Sequence, residues 1–206
     1  MTRRLGEGDL KYNVRCRERT AKTVTRNRED MKAEFLTEED VGGYDELLTA
    51  SGDGFGSRVV ASVGITDGDA FLTRVDILAS AGHSCFQSLR TSDGLVYIGF
   101  GQHVFVADVK LNQILSYRLD GYFGHLYNAG DLENLDRRIS VIATSASEVL
   151  TFSPTGNVRW KQSGLGLDGV VIHSVSAGRL KGEGEFDPPG GWRRFALVEE
   201  SGEVPW

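Results

Sequence analysis

Leu95-Val96-Tyr97-Ile98-Gly99-Phe100-Gly101-Gln102-His103-Val104-Phe105-Val106-Ala107-Asp108-Val109 is the stretch that decides the fold. Two runs dense in β-branched and aromatic residues, 95–100 and 104–109, flank a short turn at Gln102-His103. Each run is six residues long, the length of a strand and too short for a buried helix. Outward from this hairpin, residues 85–89 and 114–119 read as further strands. Turns at Ser92-Asp93-Gly94 and Lys110-Leu111-Asn112-Gln113 set them off. Val104, Val106 and, across the next turn, Ile114 fall at alternating positions, as a pleated sheet with an apolar side requires.

The pattern then recurs. Without gaps, residues 97–112 lie over 142–157 at an offset of 45, with Val104 on Val149 and Phe105 on Leu150. His83, His125 and His173 each open a strand-like run, at spacings of 42 and 48. Each run closes near an aromatic: Tyr117, Trp160 and Trp206. Residues 201–206 match 155–160 at an offset of 46, and Asp120-Gly121 and Asp168-Gly169 each stand five residues before a repeat histidine. The second copy carries a charged insertion at 131–138, expected as a short helix or a loop. Periods in the forties filled with short strands are those of a propeller blade. Upstream, 58–65 and 70–78 read as one hairpin, and residues 44–48 as a short helical turn.

The pattern resembles the blades of PQQ-like and WD40-like β-propellers, over about residues 83–206 and with 58–78 as a fourth blade. There is no Trp-Asp dipeptide, and no PQQ ligand set maps onto named positions. The resemblance implies architecture: an all-β, small or partial propeller-like assembly of three to four antiparallel blades. It further implies a rigid platform for partners. The expected division is a basic extension at 1–34, mobile or loosely helical, and a propeller-like domain at 35–206.

Charge is unevenly spread. Residues 1–30 hold nine Lys/Arg against five Asp/Glu, and the remainder 14 against 24. So acidic a body repels phosphate, and nucleic-acid binding would rest on residues 1–30 alone. Another reading open to the sequence is that Met31 is the natural start. No apolar run approaches the roughly 18 residues of a membrane span, and the N-terminus lacks the apolar stretch of a secretory signal. Cys16 and Cys85 are too few for a disulfide framework. The expected location is cytoplasmic.

Residues 182–194, Gly-Glu-Gly-Glu-Phe-Asp-Pro-Pro-Gly-Gly-Trp-Arg-Arg, form the most unusual segment. Alternation puts Glu183 and Glu185 on one face of a strand, and a stiff Pro-Pro turn presents Trp192 beside charges. A pre-organised aromatic loop suits an interaction anchor. The same residues also suit a loop closed by its own ion pairs. Glu183, Glu185, Asp187 and Trp192, with Tyr122 and His125 from the segment 122–127, are the candidate binding residues. The repeat histidines fit either a metal site at the blade axis or inherited structural roles. Gly164-Leu165-Gly166-Leu167-Asp168-Gly169 satisfies G-x-G-x-x-G, but Val170-Val171-Ile172 after it reads as strand, where a dinucleotide site needs a helix. The expectation is a non-catalytic protein-binding platform, of the kind found in small bacterial adaptors or toxin-neutralising proteins. No catalytic residue, metal ligand or cofactor is assigned. The rival is a hydrolase or lyase using Glu183, Glu185 and Asp187 with a repeat histidine.

Overall fold

A computed structural model describes residues 31–37, 40, 42–52, 58–67, 70–79, 86–186 and 190–205. Among the described residues there are fifteen strands and no α-helix. Sheet A is built from β1 (Met31–Phe35), β2 (Glu46–Ser51), β3 (Arg58–Asp67) and β4 (Ala70–Ala79), in the order β1-β3-β4-β2. Sheet B is a meander of β5 (Gln87–Ser92), β6 (Leu95–Phe100), β7 (His103–Asp108) and β8 (Gln113–Arg118). Sheet C repeats that order with β9 (Phe123–Tyr127), β10 (Val141–Ser145), β11 (Val149–Phe152) and β12 (Val158–Gln162). Sheet D has three strands, β13 (Val170–Ser176), β14 (Arg179–Phe186) and β15 (Gly191–Val198). Among the described residues none of the four sheets closes on itself.

The sheets stack in chain order, each hiding a face of the next. Val63, Ile65, Val75 and Ile77 of sheet A meet Val96, Ile98, Phe105 and Ala107 of sheet B. The other face of B, with Tyr97, Val104 and Val106, meets Val141, Ala143, Leu150 and Phe152 of C. C in turn sets Ile142, Val149 and Trp160 against Val170, Ile172, Leu180 and Leu197 of D. Burial on both faces explains why β6, β7, β10 and β11 are nearly continuous apolar runs while the strands of D alternate. The first strands of successive sheets touch, β1 with β5, β5 with β9 and β9 with β13. Among the described residues no core cluster joins D back to A.

The offset of 45 preserves facing. Val104 and Val149 both point to the following sheet, and Phe105 and Leu150 both point to the preceding one. The turn Asp93-Gly94, with both residues at positive φ, joins β5 to β6 as its sequence predicts.

The structure corrects three expectations. Residues 44–48 form no helical turn: β2 runs parallel to β4 there and buries Leu48 and Ala50. Sheet pairing and burial of alternate residues override the local helix preference of Glu46-Leu47-Leu48. The hairpin at 58–78 is the centre of sheet A, but that parallel pair sets A apart from the all-antiparallel B, C and D. β1 pairs with β3 from Met31 onward, so residues 31–34 belong to the sheet and not to an extension. The insertion 131–138 takes the loop alternative: it forms turns and buries Leu132 and Leu135 between C and D. The readings of residues 1–30 lie outside the described residues, as do His83, Asp187 and Trp206. No helix among the described residues is long and apolar enough to cross a membrane.

Candidate functional site

Sheet D carries the candidate surface, and the loop leading into it sets the geometry. That loop, 163–169, is tied to sheet C by Leu165 N–H donating to the Ser147 carbonyl and Gly169 N–H to the Ala146 carbonyl, both at 2.9 Å. It is tied to β14 by Leu167 N–H donating to the Glu185 carbonyl at 2.7 Å and Glu185 N–H to the Gly169 carbonyl at 2.8 Å. Gly184 makes this possible, because a Cβ there would collide with the Leu165 carbonyl. The G-x-G-x-x-G segment is therefore an inter-sheet connection, and strand β13 follows it.

Below the loop sits Glu148, whose side chain is fully buried. It pairs with Lys161 Nζ at 2.6 Å and accepts hydrogen bonds from Asp120 N–H at 2.7 Å and Ser163 Oγ at 3.2 Å. One carboxylate thus holds the start of β11, the end of β12 and the approach to β9 together, with its buried charge paired and hydrogen-bonded. Glu148 gives no signal in the sequence, because a lone Glu before an apolar run looks like a solvated turn residue.

On this base the structure brings three predicted residues together. Tyr122 Oη donates to both the carbonyl and the carboxylate Oδ1 of Asp168. Burial first, and then the Asp168 acceptor, push the Tyr122 phenol up to about 12. Its ring stacks on Phe86, with centroids 5.6 Å apart. Trp192 and Glu185, a cross-strand pair, close the other side of the turn. Trp192 Cη2 and Glu185 Oε2 stand 3.6 and 3.9 Å from the point where a Cβ on Gly169 would be. Trp192 is 49% exposed and Phe86 52%. The rim is a row of Phe86, Tyr122, Asp168, Glu185 and Trp192. Asp168 and Phe86 were not expected in it. The signal for Asp168 was present in the Asp-Gly recurrence, but nothing local links it to a tyrosine 46 residues earlier.

Glu183 points elsewhere on the same face. Its carboxylate lies 3.1 Å from Arg194 Nε and 3.4 Å from His173 Nε2. These residues, with Lys181, Phe195 and Ala196, line an open depression of about 480 Å³ on the outer face of sheet D. The corresponding faces of B and C are apolar and covered. Here charge replaces them, as at the capped end of a stack.

His125 is exposed, with its ring 5.9 Å from that of Tyr127. Phe123 and Leu126 of the same strand are buried in the core between B and C. Both described repeat histidines sit where the first strand of a sheet breaks register, His125 opposite the irregularity at Ala143/Ser145 and His173 within Ile172/Ser174. Among the described residues no three His, Cys, Asp or Glu side chains gather as a metal site would require. No protein-family model, curated protein or solved structure matches the chain.

Proposed function

We propose that this protein is a non-catalytic platform that binds another protein, its sheets acting as blades of a small, open, propeller-like assembly. Three observations support the blade reading: chain-order stacking, contact between the first strands of successive sheets, and the facing preserved at an offset of 45. The observation that carries the binding reading is Trp192, half exposed and held against Gly169 beside Glu185, across the same turn from Tyr122. Large aromatics fixed before docking lose little entropy on binding and dominate interface energetics. An adaptor or a toxin-neutralising protein would use such a surface.

The test is affinity capture from the native cell with wild type and Trp192→Ala side by side. The platform reading expects a stoichiometric partner with wild type and its loss with the variant. Undiminished capture by the variant removes the rim from the interface.

One observation favours the hydrolase or lyase reading: His173 and Glu183 share a depression large enough for a small substrate. In that case turnover of chromogenic ester or glycoside substrates by wild type would vanish in His173→Ala. No turnover by the wild-type protein leaves Glu183 as the anchor of an ion-pair cluster.

A further inference from the structure

Sheets B and C each carry a fourth strand, so that β7 lies between β6 and β8, and β11 between β10 and β12. Among the described residues, sheet D stops at β15. The chain beyond β15 covers its far end, where Val198 N–H donates to the Glu203 carbonyl at 2.7 Å after a tight turn. Residues 191–195 pair with β14 on one side and with no described strand on the other. Residues 191–194 are exposed. An extended edge of this kind offers a row of backbone donors and acceptors to any incoming strand.

The edge also has a sign. It contains Arg193 and Arg194 and no acidic residue, in a body where Asp and Glu outnumber Lys and Arg. The Arg194 side chain is 91% exposed even while its Nε reaches Glu183. Arg193 lies over the Phe186 ring at 4.5 Å, so its guanidinium is held in place rather than sweeping solvent. Residues facing one another across strands favour opposite charge, and like charges repel. Antiparallel self-pairing of two β15 edges would bring arginines near arginines, which disfavours a second copy as occupant.

We infer that the outer edge of β15, residues 191–195, takes up an extended acidic segment of the partner protein as a fourth strand of sheet D. The inference rests on the platform reading and gives its partner a chemistry. Backbone hydrogen bonds supply the affinity, the two arginines select carboxylates, and Trp192 at the head of the edge adds an aromatic anchor.

The experiment uses the full chain and three synthetic peptides. One alternates Glu with Val, one alternates Lys with Val, and one is the Glu peptide N-methylated at alternate residues. The readouts are a binding titration and hydrogen exchange at residues 191–195. The Glu peptide is expected to slow exchange of the outward amides by about tenfold or more at saturation. The Lys and N-methylated peptides are expected to bind at least about tenfold more weakly. The double variant Arg193→Glu/Arg194→Glu should exchange preference from the Glu to the Lys peptide. Equal binding of all three peptides, unchanged exchange with the Glu peptide, or amides already protected in the free protein would each overturn the inference. Trp192-dependent partner capture without Glu-peptide protection sinks the edge site and spares the platform. Peptide protection without Trp192-dependent capture supports the edge site and removes the rim from the partner interface.

Discussion

The indole N–H of Trp160, on β12, donates to the carbonyl of Glu199, 2.9 Å away and just past the end of β15. One sheet earlier, Tyr117 on β8 donates its hydroxyl to the carbonyl of Gly156, 3.0 Å away and just past the end of β11. In each case the aromatic of a fourth strand reaches the turn after the third strand of the next sheet. The outer ends of B, C and D are latched by the same device, which buries an aromatic ring and satisfies a turn carbonyl at once.

Trp160→Phe keeps most of the ring and loses the donor. We expect a loss of about 1–2 kcal/mol in urea unfolding. Trp160→Ala also opens a cavity between C and D and should cost about 3–5 kcal/mol. Equal stability of the Phe variant and wild type would show that the latch is packing alone.

Glu148→Ala removes the acceptor of Asp120 N–H and leaves Lys161 without its carboxylate. The expected cost is about 3 kcal/mol, with Glu148→Gln recovering part of it by keeping the hydrogen bonds. Chemical denaturation of the two variants measures the difference.

Gly184→Ala forces β14 and the Leu165 carbonyl apart. A loss of about 1–3 kcal/mol is expected, together with a change in Trp192 fluorescence as the 165–169 loop shifts. A variant as stable as wild type with unchanged fluorescence would contradict the close approach.

Tyr97 and Tyr122 are both pushed up to about 12 from the ordinary 10.0, with burial the first cause in each. Between those values the unfolded chain has released protons that the folded chain retains. Stability is therefore intact below about pH 10 and falls as pH rises towards 12. Tyr122→Phe should remove about one proton from that pH dependence, measured by urea unfolding at pH 10, 11 and 12.

Trp192→Ala should leave stability within about 0.5 kcal/mol of wild type, because its side chain is half exposed and outside the core clusters. Thermal melting checks this, and it separates any loss of partner capture from a loss of fold.

Much of the strand pattern was legible. β6 has the bounds its residues predict, 95–100, since a run such as Leu95-Val96-Tyr97-Ile98 can bury both faces only as an inner strand. β2 was not legible, because Glu46-Leu47-Leu48 favours a helix until β4 offers a parallel partner. Glu183, Glu185 and Trp192 could be singled out from an unusual local composition. Their separation into an ion-pair cluster around Glu183 and an aromatic rim around Gly169 could not, because it depends on which loop packs against β14.

The order of residues alone determined the all-β character, the recurrence at an offset of 45 and the alternation that gives each strand its faces, because these follow from spacing along the chain. Only the tertiary structure decided that Tyr122 meets Asp168, that Glu148 lies buried beneath them, and that β15 is an edge among the described residues. Those depend on contacts between residues tens of positions apart, and such contacts form only once neighbouring sheets have buried their apolar faces against one another.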